Sequence, residues 1–545
     1  MEGLLEMQQN ATRTEDEGNQ RYLTAFGAWA LAFGCAVGWG SFVMPGNTFL
    51  PLAGPVGSAL GLVLGAVVML LIGASYAYLM QRYPDSGGTY TYTKECFGHD
   101  QGFLSAWFLL LTYIAVLWAN ASALPLIART LFGSTFQFGF DYEIAGFHVY
   151  FGELLVATMA LLVGAYACFR RTWAERAQII GALLLLIGVV VCFAGSAGQG
   201  LNVTPFVPSF SPDRSSVGGT ITVFAFAPWA YVGFESISHS AAEARFPLRK
   251  TYTIMCVALA TSAIAYALLV LLATTAAPAG NASWVEYISH LGDYSGIESQ
   301  PTFYATYAHL GTFGAVALGL ASFGGILTGL VGNYVALSRL LMKLSQDGML
   351  GPKFSELDSH LVPRYSVLAI LLVSIPLPFF GRTAISWIVD VTTVGATIAY
   401  AFTSACAYRT AKEEGDRRHV IVGIAGLVVS LIFALEFLVP NMTSVTTLST
   451  ESYLILAAWG ILGFIVFILL MRKDEDRRLG RSIVAWVILL GLVVFTSTVW
   501  MRPTTRSAAA IRSPTWPLSG AATCWCITPS RVTSPMRPSL RSATP

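Results

Sequence analysis

Gly38-Trp39-Gly40 falls in the middle of the first long apolar stretch, residues 22–50, with Gly34 before it and Pro45-Gly46 after it. Glycines so placed cost a helix roughly 1 kcal/mol each. In a bilayer, backbone released from the helix ladder finds no water to bond. A membrane helix weakened at its centre is tolerable where the break lines a cavity enclosed by protein. Freed amides and carbonyls can hold a small ligand there. The motif therefore constrains both the fold and the place where a ligand sits.

The surrounding chain supports a membrane setting. Of 545 residues, 55% are apolar and 11% charged, against about 25% charged in a soluble domain. The net charge of +2 gives no sign of a nucleic-acid partner. Six of the eight cysteines (Cys35, Cys96, Cys168, Cys192, Cys256 and Cys406) lie in or beside apolar stretches and read as packing residues. The first 21 residues are polar and carry no cleavable-leader pattern, which predicts a retained first span. A span takes about 20 apolar residues, and the chain is read as thirteen, from 22–50 to 481–501. The expected domains are a cytoplasmic tail over 1–21, a twelve-helix unit over 22–475, an additional span within 476–502, and a tail over 503–545. That last tail has no Asp, Glu or Lys and five arginines, a composition expected of disorder or of out-of-frame translation.

Basic residues orient the spans. The N-terminus and the segments following even-numbered spans hold 23 Lys and Arg, and the opposite side through span twelve holds three, Arg129, Arg214 and Arg382. The rule that basic residues stay inside then puts the N-terminus in the cytoplasm.

A second weak point lies in the sixth span, residues 217–240. Pro228 removes an amide donor, Gly233 adds freedom, and Glu235 places an ionisable group within the span. Five spans separate the two breaks. Interrupted helices at corresponding positions of two five-helix halves point to an inverted-repeat secondary transporter. Span one runs outward, so the amides near Gly38, Trp39, Gly40 and Ser41 form the positive end of its outer half and suit a carboxylate, an effect of about 0.3–2 kcal/mol. Carbonyls near Ala36 and Val37, and near Phe226 and Ala227 in span six, suit an ammonium group. Phe226, Trp229 and Tyr231 are candidate walls or gates, and Gly233 and Glu235 are candidate gating or coupling residues. Tyr113 and Asn120 in span three are polar enough to face a cavity, with their register open. No nucleophile–base pair, zinc motif or phosphate loop marks an enzyme, and no cofactor motif is present.

Four motifs in order resemble the amino acid–polyamine–organocation transporter family over about residues 20–475. They are Val37-Gly38-Trp39-Gly40-Ser41-Phe42 with Pro45; Pro84-Asp85-Ser86-Gly87-Gly88-Thr89-Tyr90; Trp229 to Glu235 followed by Glu243 and Phe246-Pro247; and Asn333, Ser338-Arg339 and Asp347-Gly348-Met349-Leu350 with Pro352. The resemblance implies an all-α polytopic membrane protein with a LeuT-like 5+5 inverted repeat. Helices one and six are broken around the substrate, which is moved by alternating access. It also implies that Trp229 occludes substrate and that Asn333 faces the site from span eight. The chain departs from the family in two ways. Trp39 replaces a small residue, and the stretch Ala182–Leu186 lacks the lysine with which some proton-coupled relatives replace a sodium ion. Ser322 and Thr328 leave a hydroxyl-lined sodium site open, so coupling stays open between proton, sodium and exchange. The expected activity is amino acid permeation across a plasma membrane, bacterial by resemblance, with a zwitterion favoured over polyamines. The alternative is a permease-like sensor that has lost an output region.

Overall fold

The computed structural model describes residues 21–144, 147–197, 206–381, 383–438, 448–474 and 478–480, with isolated positions between 484 and 495. Most of the expected thirteenth span and the whole tail from 503 lie outside the described residues. One described position there, Trp486, is buried against Phe103, Phe464 and Phe467.

The chain is helical nearly throughout. It begins with α1 (Ala25–Ala36), capped where the Thr24 hydroxyl accepts the Gly27 amide at 3.0 Å, and α2 (Gly40–Met44). A wide turn over Pro45–Phe49 leads into α3 (Leu50–Arg82). Next come α4 (Thr89–Phe97), α5 (His99–Phe132), α6 (Phe151–Cys168) and α7 (Arg171–Ala197). The interrupted pair α8 (Ser216–Ala225) and α9 (Ala227–Tyr231) continues as a tighter helix over Phe234–Glu243. Then follow α10 (Thr251–Leu272), the short α11 (Trp284–Ser289), α12 (Pro301–Gln346) and α13 (Arg364–Ser374). The last three are α14 (Thr383–Glu414), α15 (Arg417–Leu438) and α16 (Thr450–Lys473).

Among the described residues nine helices are long and apolar enough to cross a membrane, ten if the pair broken between Ala225 and Ala227, bent by 45°, counts as one. Ala25–Ala36 and Arg364–Phe380 are apolar but shorter. The finer division expected from sequence separated 22–50 from 55–80. The structure breaks the apolar run from Gly40 to Arg82 at that boundary, at Gly54, where φ is +71° and ψ 179°. A Cβ at Gly54 would come within 2.6 Å of the Phe210 backbone, so the bend and the close approach both require glycine. The all-helical expectation also needs correction. An antiparallel hairpin of β1 (Asp141–Ile144) and β2 (Phe147–Tyr150) joins α5 to α6. Most of its side chains are exposed or half-buried, as suits a short two-stranded hairpin in the linker between two apolar helices.

α12 packs along α7 through a seam of small residues. A Cβ at Gly324 would lie 2.5 Å from the Gly181 carbonyl oxygen, and one at Gly188 would lie 2.6 Å from the Ala321 Cβ. Apolar helices in lipid gain little from hydrophobicity against one another, so close backbone packing of this kind carries their association. Gly324→Val is expected to lower stability by about 1–3 kcal/mol through overpacking. The midpoint of thermal unfolding in detergent, compared with the parent, checks this.

Candidate functional site

The seam fixes α12 against α1 at the first interruption. The Thr328 hydroxyl lies 3.0 Å from the Gly34 carbonyl oxygen of α1 and within 3.0 Å of the Gly324 and Gly325 carbonyls of its own helix. Ser322 bonds its own helix at the Gly319 carbonyl. Two residues beyond Gly34 the helix stops. Val37 has φ −113° and ψ 82°, and a new helix starts at Gly40. Of the four amides expected to be free, the Ser41 amide donates to the Gly38 carbonyl at 3.2 Å. The Trp39 amide points at Asn120 Oδ1 at 3.5 Å, a long contact. Among the described residues the amides of Gly38 and Gly40 donate to no acceptor. The Ser41 hydroxyl also donates to the Gly38 carbonyl, at 2.7 Å. Trp39 itself is buried within the core cluster.

Asn120 of α5 is held in place from two sides. A Cβ at Gly38 would be 2.9 Å from its Oδ1, and a Cβ at Gly329 of α12 would be 2.6 Å from its Nδ2. Its Nδ2 donates to the Val116 carbonyl at 2.9 Å. The amide of Asn120 is thus wedged between two glycines at the break.

The second interruption meets the first directly. The Trp229 ring lies on Gly40, with its Cη2 2.5 Å from where a Gly40 Cβ would stand. Phe226 packs edge-on to Phe49 at 5.9 Å between ring centroids. Gly38, Phe226 and Trp229 are half-buried while most neighbouring residues are buried. Val43 and Met44 close the junction of the two breaks on the α2 side as buried residues.

Several expected site residues sit differently from the sequence reading. The Phe226 carbonyl accepts the Ala230 amide at 2.9 Å, so it is not free. Ala227, buried, packs on Gly65 of α3. The sharper departure from helix comes later, at Val232 (ψ 134°) and Gly233 (φ +104°), because α9 must end before the chain can close on α1. A Cβ at Gly233 would stand 2.7 Å from the Cys35 Cβ. Tyr231 is fully buried, with its hydroxyl donating to the Leu62 carbonyl at 2.7 Å, which suits an anchor of α9 on α3 rather than a gate. Asn333 donates to the Gly329 carbonyl of its own helix at 2.6 Å, which leaves its second N–H and its oxygen for other partners.

Glu235 is buried and fully engaged. It accepts from the Gly233 amide at 2.9 Å, from the Tyr400 hydroxyl at 3.2 Å and from the Tyr113 hydroxyl at 3.2 Å. It therefore ties the end of the second interruption to α5 and α14. One turn further on, His239 is buried edge-to-face against Tyr113 at 5.3 Å, with Nδ1 3.2 Å from the Ser86 carbonyl oxygen. Sequence reading did not single it out. A histidine four residues after an intramembrane Glu was the available signal.

Below this layer the bundle is sealed. Glu243 is buried and pairs with Arg339 of α12 (3.0 Å) and Arg171 of α7 (2.8 Å). The segment before α1 is stitched to the same place. The amides of Tyr22 and Leu23 donate to the Glu243 carbonyl at 3.0 and 3.1 Å, and Arg245 returns a bond to Leu23. Thr24 donates to Glu175 through both its amide and its hydroxyl. The Asp85–Gly88 turn buttresses the tight helix from the side: a Cβ at Gly88 (φ +54°) would strike Ser238 and His239. Lys343 pairs with Asp85 at 2.7 Å, and Tyr90 and Lys94 both donate to Asp347. Burial pushes the Asp347 carboxyl up, but Tyr90, Lys94 and Lys343 outweigh it and hold it below the usual carboxylate range.

Two interrupted apolar helices that meet at Gly40 and Trp229, with nine helices long and apolar enough to cross a membrane among the described residues, define the class as a polytopic helical membrane protein. Residues 23–447 match the amino acid permease family, and the chain belongs to it. It is 24% identical over 424 residues to a branched-chain amino acid permease, BcaP, of Lactococcus lactis, an alignment covering 74% of this chain and 84% of that protein. A vacuolar cationic amino acid transporter 4 of Arabidopsis thaliana is 24% identical over 70% of this chain and 62% of its own length. A methylthioribose transporter of Bacillus subtilis is 23% identical over 64% of this chain and 72% of its own length. The chain is thus a multi-pass amino acid permease-family protein, and its relatives are transporters rather than enzymes.

Proposed function

We propose that this protein carries a neutral, zwitterionic amino acid across a cell membrane by alternating access, with the substrate held where the two interruptions meet. The α-carboxylate is received by the amides of Gly38 and Gly40 at the start of α2. The α-ammonium is received by the Val37 carbonyl and by carbonyls released where α9 ends before Gly233. The observation that carries this reading is the Trp229 ring lying on Gly40, which makes Trp229 the cover of the site. Glu235 already accepts from three donors, two on Oε2 and one on Oε1, so most of its acceptor capacity is taken within the protein, and that favours a neutral substrate over a cationic one. It serves instead as the link that communicates closure from α9 to α5 and α14. The fold this implies is the LeuT-like 5+5 repeat with twelve spans and the N-terminus inside, as the distribution of basic residues supports. The relatives named above are all transporters, and nothing observed favours the sensor reading.

Thermal unfolding of the purified protein against a panel of amino acids and amines, with and without sodium, tests the substrate class. Neutral aliphatic amino acids are expected to raise the midpoint, following RT ln(1 + [L]/Kd). Arginine, lysine and polyamines are expected to leave it unchanged. A shift confined to the cationic compounds contradicts the substrate assignment.

A further inference from the structure

A second site lies away from the interruptions, where α6, α7 and α13 reach the sealed end of the bundle. An open groove of about 480 Å³ runs between Tyr166, Arg170 and Trp173 on one wall and His360, Arg364 and Leu368 on the other. Its two arginines lean on aromatic rings. Arg170 stands over the Trp173 ring at 4.7 Å, and Arg364 over the Tyr365 ring at 5.5 Å. Among the described residues neither guanidinium has a carboxylate within ion-pair distance. Asp358 is the acid in the groove. Its Oδ1 accepts the amides of His360 and Val362 at 2.8 and 2.9 Å, which turns it to its own loop. Both α7 and α13 also begin here, at Arg171 and Arg364, so two positive helix ends reinforce the arginines.

The groove's position says what kind of anion can reach it. Tyr166 is exposed and its ring lies tilted against Trp173, with centroids 5.5 Å apart. Such ring pairs mark the headgroup level of a bilayer. From there the outer faces of the three helices continue into the membrane as exposed apolar side chains, including Leu162, Val163, Ile180, Leu368 and Leu372. An occupant therefore has an anionic head at the arginines and apolar chains along the helices. Arg171, next to Arg170, pairs with Glu243 of the seal. The groove thus borders the end of the protein that is rich in basic residues.

We propose that this groove is a binding site for the phosphodiester headgroup of an anionic phospholipid, gripped by Arg170 and Arg364. Planar guanidinium groups match phosphate oxygens in pairs, and basic pockets between helices at this level take anionic headgroups. The ligand lies outside the transport site, and the assignment stands whether or not the substrate reading above holds.

The test uses the full-length protein in detergent with phosphatidylglycerol, phosphatidylcholine or millimolar inorganic phosphate added. Native mass spectrometry measures lipid retention, and thermal unfolding measures stabilisation. Phosphatidylglycerol is expected to be retained and to raise the unfolding midpoint; phosphatidylcholine and inorganic phosphate are expected to do neither. The Arg170→Gln/Arg364→Gln variant is expected to lose phosphatidylglycerol affinity by about tenfold or more while unfolding like the parent in phosphatidylcholine, which shows that it folds. Retention undiminished in the variant overturns the site. A shift with inorganic phosphate equal to that with phosphatidylglycerol overturns the lipid assignment in favour of a soluble phosphate.

Discussion

Glu243→Ala is expected to unfold well below the parent and to cost about 3–5 kcal/mol, the scale for removing one partner of a buried ion pair. Glu243 is the carboxylate between two guanidiniums, at 3.0 Å from Arg339 and 2.8 Å from Arg171. Deleting it leaves two guanidiniums close together without the carboxylate that joins them. A typical stability margin is about 5–15 kcal/mol, so this single change removes a large part of it. Arg339→Met is expected to cost less, because Glu243 keeps Arg171 and the methionine fills part of the vacated volume. Thermal unfolding of both variants gives the order directly. Equal losses in the two would show that Arg171 does not share the carboxylate. The same layer holds the segment before α1 through the Glu243 backbone. Glu243→Ala is therefore also expected to loosen the sealed end, read as faster labelling of a cysteine placed at Leu23.

Gly40→Val is expected to reduce transport by about ten- to a hundredfold, the rate equivalent of 1–3 kcal/mol of overpacking, with little loss of folded protein. The added side chain needs the volume that the Trp229 ring occupies, since even a Cβ would come within 2.5 Å of Cη2. The indole is half-buried and can swing aside. The protein therefore folds, but the cover no longer seats over the break. Trp229→Ala in the Gly40→Val background separates the two causes. If only the clash matters, removing the ring restores substrate binding. If the ring is needed to hold substrate, the double variant stays inactive. The account expects binding to recover in part and transport not to.

The break at Gly38 and its partner in the sixth span were legible because glycine and proline act locally. Their effect on a helix does not depend on what the helix packs against. The resemblance singled out Trp229 as an occluding ring, and its contact with Gly40 came from packing alone. The register of the other helices was not legible. In a bilayer the lipid-facing and the inward-facing sides of a helix are both apolar, so periodicity does not say which side turns inward. Tyr113 and Asn120 stood out by polarity, but only packing assigns Tyr113 to Glu235 and Asn120 to the wedge between Gly38 and Gly329. The freed carbonyls were expected at Phe226 because Pro228 is the stronger signal. The structure accommodates that proline at the start of α9, where a missing amide donor costs nothing, and ends the helix at Gly233 instead. Asn333 illustrates the same limit, since its amide bonds its own helix. The hairpin after α5 was overlooked because its few residues fall between two strong apolar signals.

Uptake of a labelled neutral amino acid into proteoliposomes, measured for the parent and for Gly38→Val, decides whether substrate passes through the interruption. A Cβ at Gly38 would press on Asn120 at 2.9 Å, and the larger side chain would cover the free amides of the break. Saturable uptake is expected of the parent and near-background uptake of Gly38→Val at equal reconstituted protein. Uptake by Gly38→Val equal to that of the parent would contradict this expectation, because substrate would then be passing through a site that does not use the interruption.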